Sequence, residues 1–258
     1  MHVNRWIIAL AVVVLVLRVG RVEGTILFED DFNDGTYADM WLTYNGSSFG
    51  VEDGVFALES GFGTDDARAV VKSHLWNTDW KEYVVDFDFK IGEYASGGKG
   101  HFALLFNVQA INDGYNRGQY YQFYSWLDAV GLHRMESLAC SSTTGLAGAS
   151  YSAVGRSNLS LDTWYHGRLV VLRDSITGYV GHLDGTHLDA PLFTFDTSGI
   201  SAEYAYNGPI ALKAIGGATN RYDNVHVTVI PEPSALIMWS LFGALCISAG
   251  CWRRRRAA

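Results

Sequence analysis

The sequence predicts an all-β protein over residues 25–230, built as two packed antiparallel sheets, and three observations carry that expectation. Almost every segment between Thr25 and Val229 alternates apolar and polar residues with period two, the pattern of strands that bury one face. The segments are parted by "NDGYNRG", "RDSITG" and "LDGTH", where Gly, Asn and Asp supply the positive φ that tight turns demand. Helical periodicity is nearly absent, so about ten to fourteen strands must bury their apolar faces against one another.

The elements follow in order. Glu29, Asp30 and Asp31 lie near the first strand, and Phe32 and Trp41 are expected to plug one edge of the sandwich. "VEDGVFALES" reads as a turn and a strand, and "ARAVVKS" as the next strand. In "YVVDFDFKI", Val85, Phe87, Phe89 and Ile91 point one way, and Val84, Asp86, Asp88 and Lys90 the other. "HFALLFNVQ" repeats this, with Phe102, Leu104, Phe106 and Val108 facing one side and Ala103, Asn107 and Gln109 the other. "GQYYQFYSW" and "VGLHRME" are further strands, while "CSSTTGLAGAS" is the best candidate for a mobile surface loop. "YHGRLVVLR" and "GYVGHLD" make a hairpin whose Leu169, Val171, Val180 and Leu183 help to fill the core. "PIALKAI" and "YDNVHVTVI" close the region, the last strand returning beside the first. No shift of composition divides residues 25–230, which implies one domain.

Charge narrows the function. The chain carries a net charge of −8, but residues 25–230 hold 12 Lys and Arg against 25 Asp and Glu, near −13. Such a surface repels phosphate backbones, so nucleic acid is excluded as a partner. Cys140 stands alone in this region, which leaves it without an intrachain disulfide. Zinc-protease, nucleophile-elbow and phosphate-loop motifs are absent from the sequence.

The order of the segments resembles the concanavalin-A-like lectin/glucanase jelly roll, in its laminin-G-like and sugar-hydrolase-associated branches. The residues that carry it are "LFEDDFNDGTYADMWLTYNGSSFGVEDGVFALES", "TWYHGRLVVLRDSITGYVGHLDG" and "GPIALKAIGGATNRYDNVHVTVI". The resemblance implies a jelly-roll sandwich, on which lectins, hydrolases and adhesion modules are all built.

Three constellations stand out as chemistry. Tyr120, Gln122, Tyr124 and Trp126 share one face of a strand, with Asn107 and Gln109 on its neighbour, and rings beside amides suit a saccharide. Asp86 and Asp88 lie at i and i+2, roughly 6 to 7 Å apart at Cα, a spacing to compare with the about 5 to 5.5 Å between the carboxyl groups of retaining glycosidases. Where laminarinase-type relatives carry a third carboxylate, this strand has Lys90. Glu29, Asp30 and Asp31 near the first strand approach Asp223 and Asn224 on the last, and similar folds hold a structural calcium ion there, which implies Asp31 and Asp223 as Ca²⁺ ligands.

The ends of the chain speak of destination. Residues 1–24, with Arg5 before "WIIALAVVVLVL", read as a secretory signal helix, cleaved near Gly24 or retained as an anchor. At the other end, residues 231–258 combine Pro231, Glu232 and Pro233, an apolar run of transmembrane length, and Arg253, Arg254, Arg255 and Arg256. This tail resembles the PEP-CTERM sorting signal of exopolysaccharide-producing Gram-negative bacteria. The resemblance implies passage through the secretion translocon, a membrane stage through the C-terminal helix, recognition by an exosortase, and delivery to the cell surface or extracellular matrix. The function expected is a non-catalytic protein that binds exopolysaccharide. A glycoside hydrolase using Asp86 and Asp88, and a structural adhesion module without a sugar ligand, are the alternatives.

Overall fold

The computed structural model describes residues 25–60, 66–93, 101–111, 118–137, 143–201, 207–215 and 218–230. The predicted signal segment (residues 1–24) and the predicted sorting tail (residues 231–258) lie outside these residues. Among the described residues no helix is long and apolar enough to cross a membrane.

Ile26–Thr228 forms a compact unit made of strands. In chain order these are β1 (Ile26–Asp30), β2 (Trp41–Tyr44), β3 (Gly46–Glu52), β4 (Val55–Ser60), β5 (Asp66–Val71), β6 (Tyr83–Lys90), β7 (His101–Ile111) and β8 (Gly118–Trp126). Then come β9 (Ala129–Ser137), β10 (Thr143–Ser150), β11 (Trp164–Val171), β12 (Ser175–Gly181), β13 (Phe193–Asp196), β14 (Ala211–Ile215) and β15 (Thr219–Val229). The first sheet runs β13-β12-β11-β6-β15-β4-β3, with β1 also on β15, and the second runs β10-β9-β8-β7-β14-β5-β2. The predicted two-sheet all-β sandwich is observed, with the last strand beside the first as expected.

Alternation places the core between the sheets. Tyr83, Val85, Phe87 and Phe89 of β6 are wholly buried and meet Phe102 of β7 and Phe123 of β8. The Phe89 and Phe102 ring centroids are 3.8 Å apart, and Phe87 meets Phe123 edge-on at 6.4 Å. Each such ring withdrawn from water contributes about 1.5 to 3 kcal/mol. The large rings need room in the neighbouring strand, and Gly167 of β11, paired with Phe87, provides it: a Cβ there would stand 2.4 Å from the Phe87 ring.

The plug at the sandwich edge is also present. Phe32 and Trp41 are buried against Phe56, and the Trp41 indole donates to Asp30 Oδ2 at 2.7 Å while the Phe32 amide donates to Asp30 Oδ1 at 2.9 Å. Asp53 and Gly54, at φ 52° and 75°, join β3 to β4 in the left-handed pair that a two-residue hairpin requires.

Two expectations are corrected. Residues 143–150 of the "CSSTTGLAGAS" stretch are β10, an edge strand paired with β9, because backbone pairing at an edge needs no apolar alternation. Leu183 is 55% exposed, since β12 ends at Gly181 and the chain leaves the sheet before reaching it.

Candidate ligand-binding face and the carboxylate pair

Strand β8 sends Tyr121 and Phe123 into the core and Tyr120, Gln122, Tyr124 and Trp126 to the outer face of the second sheet, as its alternation predicts. Neighbouring strands bring further groups to the same face. His101 of β7 pairs with Trp126, His133 of β9 pairs with Gln122, and Lys213 of β14 pairs with Arg68 of β5.

This face has a buried centre and an open rim. At the centre Asp66 Oδ2 lies 2.8 Å from Arg68 Nη2 and 3.0 Å from Lys213 Nζ, and Lys213 donates to Gln122 Oε1 at 3.0 Å. Arg68 stands 5.9 Å above the Tyr120 ring. These charges are wholly buried, which is tolerable only because each carboxylate and cation is paired. Burial lowers Lys213 to about 8, with Asp66 partly restoring it. Burial, aided by the charge of Lys213, holds His101 neutral, lowering it to about 3. His101 Nδ1 has no hydrogen-bond partner among the described residues.

At the rim Tyr124 and Trp126 are half-buried, and each ring is set by a histidine from the adjacent strand. The Tyr124 hydroxyl lies 3.0 Å from His133 Nε2, and the Trp126 and His101 ring centroids are 4.0 Å apart. Of the predicted residues, then, Tyr124 and Trp126 are accessible, while Tyr120 and Gln122 belong to the buried centre.

Asn107 does not join them. A bulge between Phe106 and Ala110 breaks the period of β7, Asn107 adopts φ 51°, and its Oδ1 accepts from the Tyr83 hydroxyl at 2.6 Å. The same irregularity puts Val108 with the outer-face cluster rather than in the core beside Phe106. Gln109 is exposed within the bulge. Asp66, Arg68 and Lys213 are the charged residues that sequence reasoning missed. A charge interrupting the apolar runs "DARAVV" and "ALKAI" was the available signal.

The outer face of the first sheet carries Asp86 and Asp88, and β11 answers both. His166 Nε2 lies 2.9 Å from Asp86 Oδ1 and its Nδ1 2.7 Å from Asp88 Oδ1. Arg168 Nε donates to Asp86 at 2.6 Å, and the Asn224 amide donates to Asp88 Oδ2 at 2.9 Å. Burial by itself would lower His166, but hydrogen bonds to the two carboxylates outweigh it and raise the imidazole to about 9. Burial opposes ionisation of Asp86, yet bonds from His166 and Arg168 win and hold it below the usual carboxylate range. A glycosidase acid needs the reverse, a carboxyl kept protonated near neutral pH.

At the edge, Asp223 is raised by partial burial and by the negative charges of Asp88 and Asp31. Among the described residues no three His, Cys, Asp or Glu side chains gather around one point.

Solved structures share this architecture. A Bacillus subtilis protein with a galectin-like fold aligns over 80% of this chain and 97% of its own, at TM-score 0.56 and 12% identity. The CBM2 module of the Lactobacillus casei BL23 phage J-1 evolved Dit aligns over 80% and 96%, at 0.51 and 13%. The potassium-bound carbohydrate recognition domain of Emp46p aligns over 79% and 95%, at 0.51 and 12%. At such identities the likeness is one of fold: this chain has a galectin-like jelly roll. No protein-family model and no curated protein matches the chain.

Proposed function

We propose that the protein is an exported, non-catalytic surface or matrix component that binds secreted polysaccharide across the outer face of its second sheet. The observation that carries this reading is the pair Tyr124 and Trp126, two half-buried rings at i and i+2, each fixed by a histidine of the next strand. Rings held in this way offer flat apolar platforms to the C–H face of a sugar at low entropic cost. A carbohydrate recognition domain and a carbohydrate-binding module are built on the same fold, which agrees with the reading.

Support for a non-catalytic role comes from Asp86, held ionised by His166 and Arg168 rather than poised as an acid. The destination rests on the tail, where Pro231, Glu232 and Pro233 precede the apolar run and Arg253, Arg254, Arg255 and Arg256. In this reading the translocon exports the chain and an exosortase removes the tail.

Pull-down on matrix polysaccharide tests the site, and Tyr124→Ala with Trp126→Ala is expected to weaken retention at least tenfold. Undiminished retention removes the face from the reading, and binding to protein but not to sugar favours the adhesion module. Release of reducing sugar by the purified protein, abolished by Asp88→Asn, overturns the non-catalytic reading. Replacing Pro231-Glu232-Pro233 by alanines is expected to leave the chain at its uncleaved mass in the membrane fraction.

A further inference from the structure

A separate cavity of about 430 Å³ opens at one end of the sandwich, where the β11–β12 turn meets the bulge of β7. Its size lies within the roughly 300 to 1,000 Å³ of small-ligand pockets. Tyr121 and Ile176, buried core residues of opposite sheets, line its depth, and Ile200 packs against the same core. Both sheets therefore contribute apolar surface to its lining.

Its polar lining is specific. Asn107 sits there in the left-handed region, with its Oδ1 held by the Tyr83 hydroxyl, so the amide is fixed before any ligand arrives. Lys81 and Arg173, both exposed, flank the opening, two cations together in a region near −13 overall. Glu82 lies 4.0 Å from Arg173 Nε and accepts the Arg173 amide at 3.1 Å, which steadies the turn that bears the guanidinium. An apolar base, a fixed amide, and a mouth where Lys81 stands beside the Arg173–Glu82 pair match a sugar ring whose hydroxyls meet the amide and whose carboxylate meets Lys81 and competes with Glu82 for Arg173.

We infer that this cavity takes one sugar unit of an acidic polysaccharide, at a site distinct from the Tyr124 and Trp126 face. The choice of a glycan rests on the function proposed above, whereas the cavity and its charge do not. The test is calorimetric titration of the full chain, kept in detergent, with trigalacturonate and with neutral galactotriose. Trigalacturonate is expected to bind at one site, at least tenfold more weakly in the Lys81→Ala/Arg173→Ala double variant, and not at all in Ile200→Trp, which fills the cavity. Tyr124→Ala/Trp126→Ala is expected to leave this binding unchanged. The exposed Lys81 and Arg173 substitutions keep the test decisive where Ile200→Trp fails to fold, as thermal melting reports. Absent binding, equal binding of galactotriose, persistence in a folded Ile200→Trp variant, or loss in the Tyr124/Trp126 variant overturns the inference. Polymer retention through the Tyr124 and Trp126 face with no trigalacturonate binding sinks the cavity site and leaves the face standing.

Discussion

Replacing His166 by Gln removes the cation that joins Asp86 to Asp88 and should change how stability depends on pH. The native imidazole titrates near 9 against an ordinary value of 6.5, so its contribution is complete below pH 6.5 and is lost as pH rises through about 9. At about 1.4 kcal/mol per pH unit the gap corresponds to an upper bound of about 3 kcal/mol. The three side chains are 16% to 23% exposed, and solvent screening reduces this to about 1 to 2 kcal/mol, or roughly 3 to 6 °C in melting temperature for a domain of this size. Two other groups set the limits of the test. Lys213, lowered to about 8, adds stability as pH rises from there towards 10.5, and His101, lowered to about 3, costs stability as pH falls below 6.5. Urea unfolding of wild type and His166→Gln between pH 6 and 9 isolates the difference. The variant should be less stable by about 1 to 2 kcal/mol at pH 6, with the gap closing towards pH 9. A constant gap, or identical pH slopes in the two proteins, would refute the ion-pair account.

Three further outcomes are expected. Gly167→Ala places a methyl group against the Phe87 ring and should cost about 1 to 3 kcal/mol in urea unfolding, with near-ultraviolet dichroism reporting displaced aromatics. Asp30→Ala leaves the Trp41 indole and the Phe32 amide without their acceptor and should cost about 2 to 4 kcal/mol, measured as a fall in the denaturation midpoint. Lys213→Met keeps the volume but removes the donor to Gln122 and Asp66. It should erase the gain in stability between pH 8 and 10.5, read from melting temperatures across that range.

Much of the sandwich was legible because period two is a local property. In "YVVDFDFKI" and "GQYYQFYSW" each residue's side of the sheet follows from its neighbours, and the core lies where the alternation puts it. Where the period slips, the reading slips with it: the bulge at Asn107 is invisible in "HFALLFNVQ", and it takes Asn107 off the face on which alternation had placed it. β10 was missed for the opposite reason, since Thr, Gly, Ala and Ser offer no apolar signal to an edge strand. Partnership across strands was the least legible feature. That His166 would stand between Asp86 and Asp88 depends on the register of β6 against β11, 78 to 80 residues apart in the chain.

That register also explains why two carboxylates at i and i+2 are poor evidence of catalysis. On a solvent face beside a strand carrying His166 and Arg168, the pair becomes an electrostatic clasp between β6 and β11. On the second sheet the same alternation buries Asp66, Arg68 and Lys213, where Asp66 ties β5 to β14. Asp66 with Lys213, like Asp86 with His166, pairs across neighbouring strands. Tyr124 and Trp126 on one face, and Lys81 and Arg173 at one end, are accessible to solvent. In the proposed reading the rings meet the face of a sugar chain and the cavity takes one acidic unit of it.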